Sequence, residues 1–344
     1  MPEIINTKRI EYVDALRGFT MYLVVYAHIW SFGYHADGKD SFTNILVNFF
    51  LVLFFFVSGY VAYKKDAEWS LSSVGTLLKK KFVQLIIPAV IFCTIFCWWR
   101  GHGIDTALAP SNAGYWFTIH LFYFYVFYAV TNLVVKKGKA YDLFLLLFAM
   151  VIFCISFSHE LIERTQLGTD LFHYLGMKNW RFFLFFCIGI LIRKHFDSFV
   201  KLTDNRYWMA LFVLGFFAMV FCANKITLRI WQPLNMLIYG ILSITVIFTF
   251  FRKHEDSFRS TTKLGYCMQF IGKRTMDIYM IHYFLLPRNL SVLGNWFASN
   301  PNPAVEFFIT TVIACMVMIL AMVVGNVIRL SPFLTCYLLG GKKE

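Results

Sequence analysis

Apolar runs close to twenty residues long recur from one end of this 344-residue chain to the other, and they limit its fold more than any other feature. A run of that length crosses about 30 Å of hydrocarbon as an α-helix, which satisfies its own backbone amides and carbonyls. Ten runs stand out, at about 13–34, 44–63, 82–99, 115–135, 141–157, 179–193, 206–223, 234–251, 275–294 and 304–328. Hydrophobic residues make up 59% of the chain and charged residues 15%. A water-soluble domain cannot hide that much apolar surface. The expected fold is an all-α integral membrane protein with about ten transmembrane helices, a single polytopic domain over 1–344.

The net charge of +13 follows from topology. Counting from a cytoplasmic N-terminus, that terminus, the even-numbered connections and the C-terminus hold 23 of the 32 Lys and Arg. The odd-numbered connections hold 8, and Arg17 is intramembrane. Lys64, Lys65, Lys79, Lys80, Lys81, Lys136, Lys137, Lys139, Arg252, Lys253, Lys273 and Arg274 all fall on one side. This positive-inside pattern makes both termini cytoplasmic. No basic soluble domain is left to bind nucleic acid. Six of the eight cysteines (Cys93, Cys97, Cys154, Cys187, Cys222 and Cys315) lie in apolar runs, and Cys267 and Cys336 lie on the cytoplasmic side. Disulfides are therefore not expected, and no Cys/His spacing suggests structural zinc. The first run carries Asp14 and Arg17 and has no small-residue exit, so it reads as a span and not as a cleavable signal.

Two prolines fall inside runs. Pro88 is expected to bend or interrupt the third and Pro287 the ninth, since each removes an amide donor. The outer connection 158–178 is expected to form a short surface helix, and 252–274 is the largest cytoplasmic piece.

Few polar groups lie deep. Arg17 and His28 are eleven residues apart in the first run. That is three helical turns plus about 20°, so they share one face with an axial offset of about 16 Å. Ionisable groups inside a span are costly and mark function by default. Arg17 lies roughly 8 Å inside the cytoplasmic edge. Its structural alternative is a snorkelling side chain paired with Asp14 at i−3. His28 lies too deep to snorkel, and its alternative is a neutral histidine bonded to a backbone carbonyl. His120 and His282 enter other spans, with packing or hydrogen-bonding roles as the simpler reading. Haem or metal ligation by these histidines is disfavoured, because no pair sits at i, i+4. Asp277 can pair with Arg274 at i−3. Ser58 and Gly59 form a small-residue pair at the depth of Arg17, where a backbone or a ligand can approach closely. No Ser-His-Asp order, phosphate-cradling glycine loop or HExxH motif is present.

Together these segments resemble the membrane-bound acyltransferase family 3. RIEYVDALRGFTMYLVVYAH resembles the family's opening, Asp-x-x-Arg and then His, at Asp14, Arg17 and His28. FFFVSGY resembles its aromatic-Ser-Gly motif at Ser58 and Gly59, and YWFTIHLFYFYVF its Trp-Phe span, here with Trp116 and His120. WRFFLFFCIGILI resembles its Phe-rich span ending in Gly. IGKRTMDIYMIH resembles its late segment at Thr275, Tyr279 and His282. The likeness covers about 9–330. Two positions depart from it. The family often carries two arginines three apart before an apolar run and Pro, where this chain has Lys81 and Gln84. Asp277 stands where a small or apolar residue is more usual.

The resemblance implies an O-acyltransferase, and an O-acetyltransferase in particular, of a bacterial cytoplasmic (inner) membrane. Its donor would be cytoplasmic acetyl-CoA or another acyl-CoA, with no metal. Its acceptor would be a lipid-linked sugar or envelope polysaccharide, as in stand-alone members without a fused esterase-like domain. Acyl transfer from a thioester needs a base for the hydroxyl, a site for the oxyanion and a grip on the anionic headgroup. The grip is expected from Arg17 with Lys79, Lys80, Lys81, Lys273 or Arg274, with Ser58 and Gly59 at the donor site. His28 would be the general base, or would carry the acyl group itself. Asp14, Trp116, His120, Tyr279 and His282 would support it, with His120 or a tyrosine of another span as possible orienting groups. Asp14 is about 21 Å from His28 along the helix, too far to form a dyad. The rival reading is a transporter or flippase for a glycolipid or anionic substrate, using Arg17 and His28 as substrate and proton sites. A structural subunit is a third.

Overall fold

The computed structural model describes residues 9–34, 49–101, 114–135, 138–158, 162–163, 165–222, 231–287 and 289–341. Lys136, Lys137, the side chains of Lys139 and Cys222, and the first residues of the second run lie outside the described residues. Every regular element among those described is helical. In chain order they are α1 (Glu11–His28), α2 (Phe50–Ala62), α3 (Leu71–Arg100), α4 (Trp116–Val134), α5 (Lys139–Phe157), α6 (Gln166–Tyr174), α7 (Phe183–Lys194) and α8 (Phe196–Asp204). There follow α9 (Arg206–Cys222), α10 (Trp231–Lys253), α11 (Lys263–Lys273), α12 (Thr275–Leu285), α13 (Leu290–Ser299), α14 (Pro303–Ile328) and α15 (Pro332–Leu339).

Among the described residues five helices are long and apolar enough to cross a membrane: α3, α4, residues 140–157 of α5, α10 and α14. The pair Gln166–Tyr174 and Met177–Lys194, bent by 54°, makes a sixth if it is one span. The membrane-embedded, all-helical class stands. The remaining runs give shorter or more charged helices. α2 and α9 are short, and α1 carries Glu11, Asp14 and Arg17 within 18 residues. The expected span 275–294 is broken: α12 ends at Leu285, ahead of Pro287, and the chain resumes helix at Leu290. Proline 287 cannot continue the ladder, and the residue before a proline is pushed out of the helical region. Apolar side chains such as Leu143, Val151, Met316 and Val327 lie exposed on α5 and α14, as a lipid-facing surface requires.

Pro88 acts differently from Pro287. α3 starts at Leu71, eleven residues ahead of the apolar run, because Ser70 and Ser73 cap each other's backbone amides. Its lysines 79–81 therefore ride on the helix. Before Pro88 the helix widens into a π turn, Phe82–Ile86, with the Ile87 amide bonded to the Phe82 carbonyl. The widening absorbs the donor that Pro88 lacks, and α3 continues to Arg100.

Two glycine crossings fix the core. A Cβ on Gly59 would run into the Phe186 carbonyl, and one on Gly189 into that of Phe56, so α2 and α7 pack backbone to backbone. Gly18 and Gly272 do the same for α1 and α11, against the carbonyls of Met268 and Asp14. Phe55, Phe56, Phe124, Phe183, Phe185, Phe186 and Phe248 fill the fully buried space between α2, α4, α7 and α10. At the start of α1, Glu11 accepts a hydrogen bond from the Ser260 hydroxyl at 2.6 Å. That bond holds its carboxyl below the usual range and ties α1 to the 252–274 connection.

Candidate active site

The crossing of α1 with α11 delivers Arg17 to the first residue of α12. Its Nη2 donates to Thr275 Oγ1 at 3.3 Å, and its Nη1 lies 3.7 Å from Asp14 Oδ1. The Arg17 side chain stays about one-third open, at 35%. A guanidinium has five N–H donors, and these two loose contacts leave most of them for a ligand. Beside it opens a cavity of about 310 Å³, lined by Arg17 of α1, Ser58 of α2, Lys81 and Gln84 of α3, Tyr125 of α4, Thr275 and Tyr279 of α12, and Gly340 after α15. Lys81 Nζ sits 4.3 Å from the centroid of the Tyr125 ring, a cation–π contact that holds its charge at the wall. Gly340 takes φ +61°, and a Cβ there would meet the Gln84 carbonyl.

The structure thus brings Arg17, Ser58 and Lys81 together. Gln84 lines the same wall, an uncharged amide one turn from Lys81. Gly59 does not join them. Its lack of a side chain serves the approach of Phe186, one residue away from Ser58, whose own hydroxyl donates to the Phe54 carbonyl at 2.8 Å. Arg274 is also committed elsewhere. Its Nη1 lies 3.0 Å from Asp277 Oδ2, and Arg329 grips the same carboxylate through Nε at 2.9 Å and Nη2 at 2.6 Å. Asp277 is fully buried, so the two arginines are its charge balance. Among the described residues Arg17 and Lys81 are the cations on the cavity wall.

His28 occupies the opposite end of α1. Its Nδ1 lies 2.7 Å from His282 Nε2, and the rings are stacked at 10° with centroids 5.0 Å apart. His282 is fully buried, and its Nδ1 faces two carbonyls, Ile278 at 2.9 Å and Tyr279 at 2.8 Å. Carbonyls only accept, so His282 Nδ1 carries a proton. In the neutral ring its Nε2 is then an acceptor, and the proton between the rings belongs to His28 Nδ1. His28 Nε2 is left with a lone pair. The Tyr283 hydroxyl lies 3.3 Å from that nitrogen and donates to the Gly114 carbonyl at 3.1 Å. Tyr279 donates to the same carbonyl at 2.9 Å and accepts from the Phe117 amide at 3.2 Å, capping α4. Gly114 has no side chain because the Tyr283 ring fills that place.

A second, much smaller cavity of about 20 Å³ lies against His28, lined by Val24, Phe50, Leu51, Phe54, Gly114, Trp116, Phe117 and Tyr279. Phe54, Phe117 and Tyr279 line both cavities and form the wall between them.

Of the expected supporting residues, His282 contacts His28 directly, and Trp116 and Tyr279 line its cavity. His120 does not serve His28. Its two nitrogens meet the carbonyls of Trp116 at 2.7 Å and Gly176 at 2.9 Å, which anchors α4 to the turn after α6. Asp14 stays at the other end, beside Arg17. Sequence reasoning missed Tyr283, Gly114 and Arg329. Tyr279 and Tyr283 are i, i+4 on α12, a spacing that puts both hydroxyls on one face. The deep charge of Asp277 could have pointed to Arg329, the arginine just past the C-terminal end of α14.

The sequence matches the model of an acyltransferase domain over residues 10–326. The chain belongs to the membrane-bound acyltransferase family 3 and is a membrane acyltransferase. Searches among curated proteins and among solved structures give no match.

Proposed function

We propose that the chain is an O-acyltransferase, specifically an O-acetyltransferase, moving the acyl group of cytoplasmic acyl-CoA to a hydroxyl of a lipid-linked sugar or envelope polysaccharide. It works as a ten-span protein of the bacterial inner membrane with both termini cytoplasmic. Arg17 and Lys81 hold the anionic headgroup of the donor by charge-assisted bonds. The pantetheine arm runs along α1, whose 16 Å offset (about eleven residues of helical rise) matches its reach. It passes the wall of Phe54, Phe117 and Tyr279. His28 Nε2 takes the proton of the acceptor hydroxyl, and the oxygen attacks the thioester carbonyl. The C–S bond breaks, and the proton passes from the imidazolium to the departing thiolate.

The observation that carries this reading is the hydrogen-bond chain from the Ile278 and Tyr279 carbonyls through His282 to His28. It fixes the tautomer in which the outward nitrogen is a base, as an orienting partner does in nucleophile–base pairs. The test is His28→Ala in membranes given labelled acetyl-CoA. Loss of label from the glycan fraction is expected. Acetylation at the wild-type rate would remove His28 from the chemistry, and substrate movement without any acyl-CoA would favour a transporter.

A further inference from the structure

The wide cavity beside Arg17 takes part of its wall from the far end of the chain. Leu339, the last residue of α15, and Gly340 after it line the cavity together with Arg17 and Lys81. α15 lies past residue 326, where the matched domain ends. Its limits are set locally. The Ser331 side chain accepts from the Leu334 amide, and Pro332 occupies the first turn. The Gly341 amide donates back to the Thr335 carbonyl at 3.0 Å. α15 packs against α3, α12 and α14. Cys336 and Leu339 are buried, and Phe333 and Leu334 are exposed.

The contact that seats α15 falls on a decisive point of α3. The backbone of Gly340 rests on the Gln84 carbonyl so closely that a Cβ would run into the oxygen. Gln84 lies in the π turn Phe82–Ile86, and Lys81 is the residue just before that turn. One extra residue in a helical turn rotates the side chains beyond it by about 100° about the axis. The turn therefore decides which face of α3 Lys81 occupies, and that face is the cavity wall. We propose that α15 is a wall of the donor-binding site, and that Gly340 is a positioning residue that holds the π turn and so keeps Lys81 at the donor headgroup. The proposal rests on the donor reading of the Arg17 cavity above and adds the element that completes it. Alanine at 340 would be strained at φ +61° and would meet a backbone atom that cannot swing aside. Either α15 lifts or the π turn shifts, and both loosen the grip of Lys81.

The experiment measures the rate of acyl transfer against acetyl-CoA concentration in membranes that contain the full chain. Gly340→Ala is expected to raise the half-saturating concentration roughly tenfold, as for one lost hydrogen bond to a charged group. The maximal rate per folded molecule should stay near that of wild type. Maleimide labelling of the buried Cys336, read by mass spectrometry, should become faster as α15 lifts. In a Lys81→Ala background, Gly340→Ala should add less than about twofold, because the two act through one contact. Leu339→Ala provides a second loosened wall if Gly340→Ala does not accumulate, with a severalfold rise expected. An unchanged half-saturating concentration in the loosened variants, or a Gly340→Ala effect that is as large without Lys81, would overturn the proposal. If Arg17→Ala raises that concentration and Gly340→Ala does not, the α15 assignment falls alone. If neither does, the donor reading of the cavity falls and takes the α15 wall with it.

Discussion

The two ends of α1 are built on opposite principles. Around Arg17 the cavity is wide, at about 310 Å³, and its charges are loosely held, 3.3 Å from one hydroxyl and 3.7 Å from one carboxylate. Around His28 the space is about 20 Å³, and the ring is held by a histidine itself fixed on two carbonyls. A mobile phosphate-bearing headgroup tolerates a broad landing site with spare donors, because charge attraction is long-ranged and forgiving of geometry. A proton transfer needs a nitrogen placed to within a few tenths of an ångström. Under the proposed function one helix serves both needs, because Arg17 and His28 lie on one face, joined by a rigid rise.

The sharpest way to break this contrast is at the histidine pair. His28→Ala should lower the maximal rate of acyl transfer by about 10²–10⁴-fold, the contribution of a positioned base. His282→Ala keeps the base but frees its tautomer and ring angle, so a loss at the low end of that range is expected. In both, the donor concentration at half-maximal rate should stay near that of wild type. A purely structural role for His282 would instead lower the amount of folded protein and leave the rate per molecule unchanged.

Arg17 should show the reverse split. Hydrogen bonds to charged groups are worth about 1.5–3 kcal/mol, so Arg17→Ala should raise the half-saturating acyl-CoA concentration by roughly 10–150-fold. Arg17→Lys should recover part of this, since it keeps the charge and loses the planar fork. Gln84→Arg offers the complementary test. It adds a cation to the wall beside Lys81 and is expected to tighten donor binding severalfold, by steady-state kinetics at low salt. An unchanged constant in all three variants would move the donor headgroup out of this cavity.

Much of the helix set was legible from hydropathy alone. The runs at 115–135, 234–251 and 304–328 became Trp116–Val134, Trp231–Lys253 and Pro303–Ile328. Hydropathy is blind to a helix that begins in polar sequence, and α3 gained Leu71–Lys81 from a serine capping box. The two prolines show the same limit from another side. Both remove a donor, but Pro88 follows a π turn that absorbs the defect, and Pro287 ends its helix. At the candidate site, the axial relation of Arg17 to His28 was readable because it lies within one helix. The partner of His28 was not, since His282 is 254 residues away and only packing brings the rings together. Periodicity says which face of a helix is buried, and it does not say what faces it. For that reason His120, equally deep by sequence, could not be separated from His282 in advance.

The smallest expected effect separates the two tyrosines on α12. Tyr283 gives its proton to the Gly114 carbonyl, and its oxygen lies 3.3 Å from His28 Nε2. Tyr279 gives its proton to the same carbonyl but accepts from the Phe117 amide and lines both cavities. A typical neutral hydrogen bond contributes about 0.5–1.5 kcal/mol. Once His28 Nε2 has taken a proton it can donate to the Tyr283 oxygen, so Tyr283→Phe should lower the maximal rate by roughly 2–12-fold and leave thermal stability nearly unchanged, because Gly114 keeps its bond from Tyr279. Tyr279→Phe removes the cap of α4 and should lower the unfolding temperature, with a smaller effect on the rate per folded molecule. The comparison needs activity and thermal unfolding on the same preparations. If Tyr283→Phe costs stability and spares the rate, its hydroxyl belongs to the scaffold of Gly114, and the chemistry around His28 Nε2 proceeds without it.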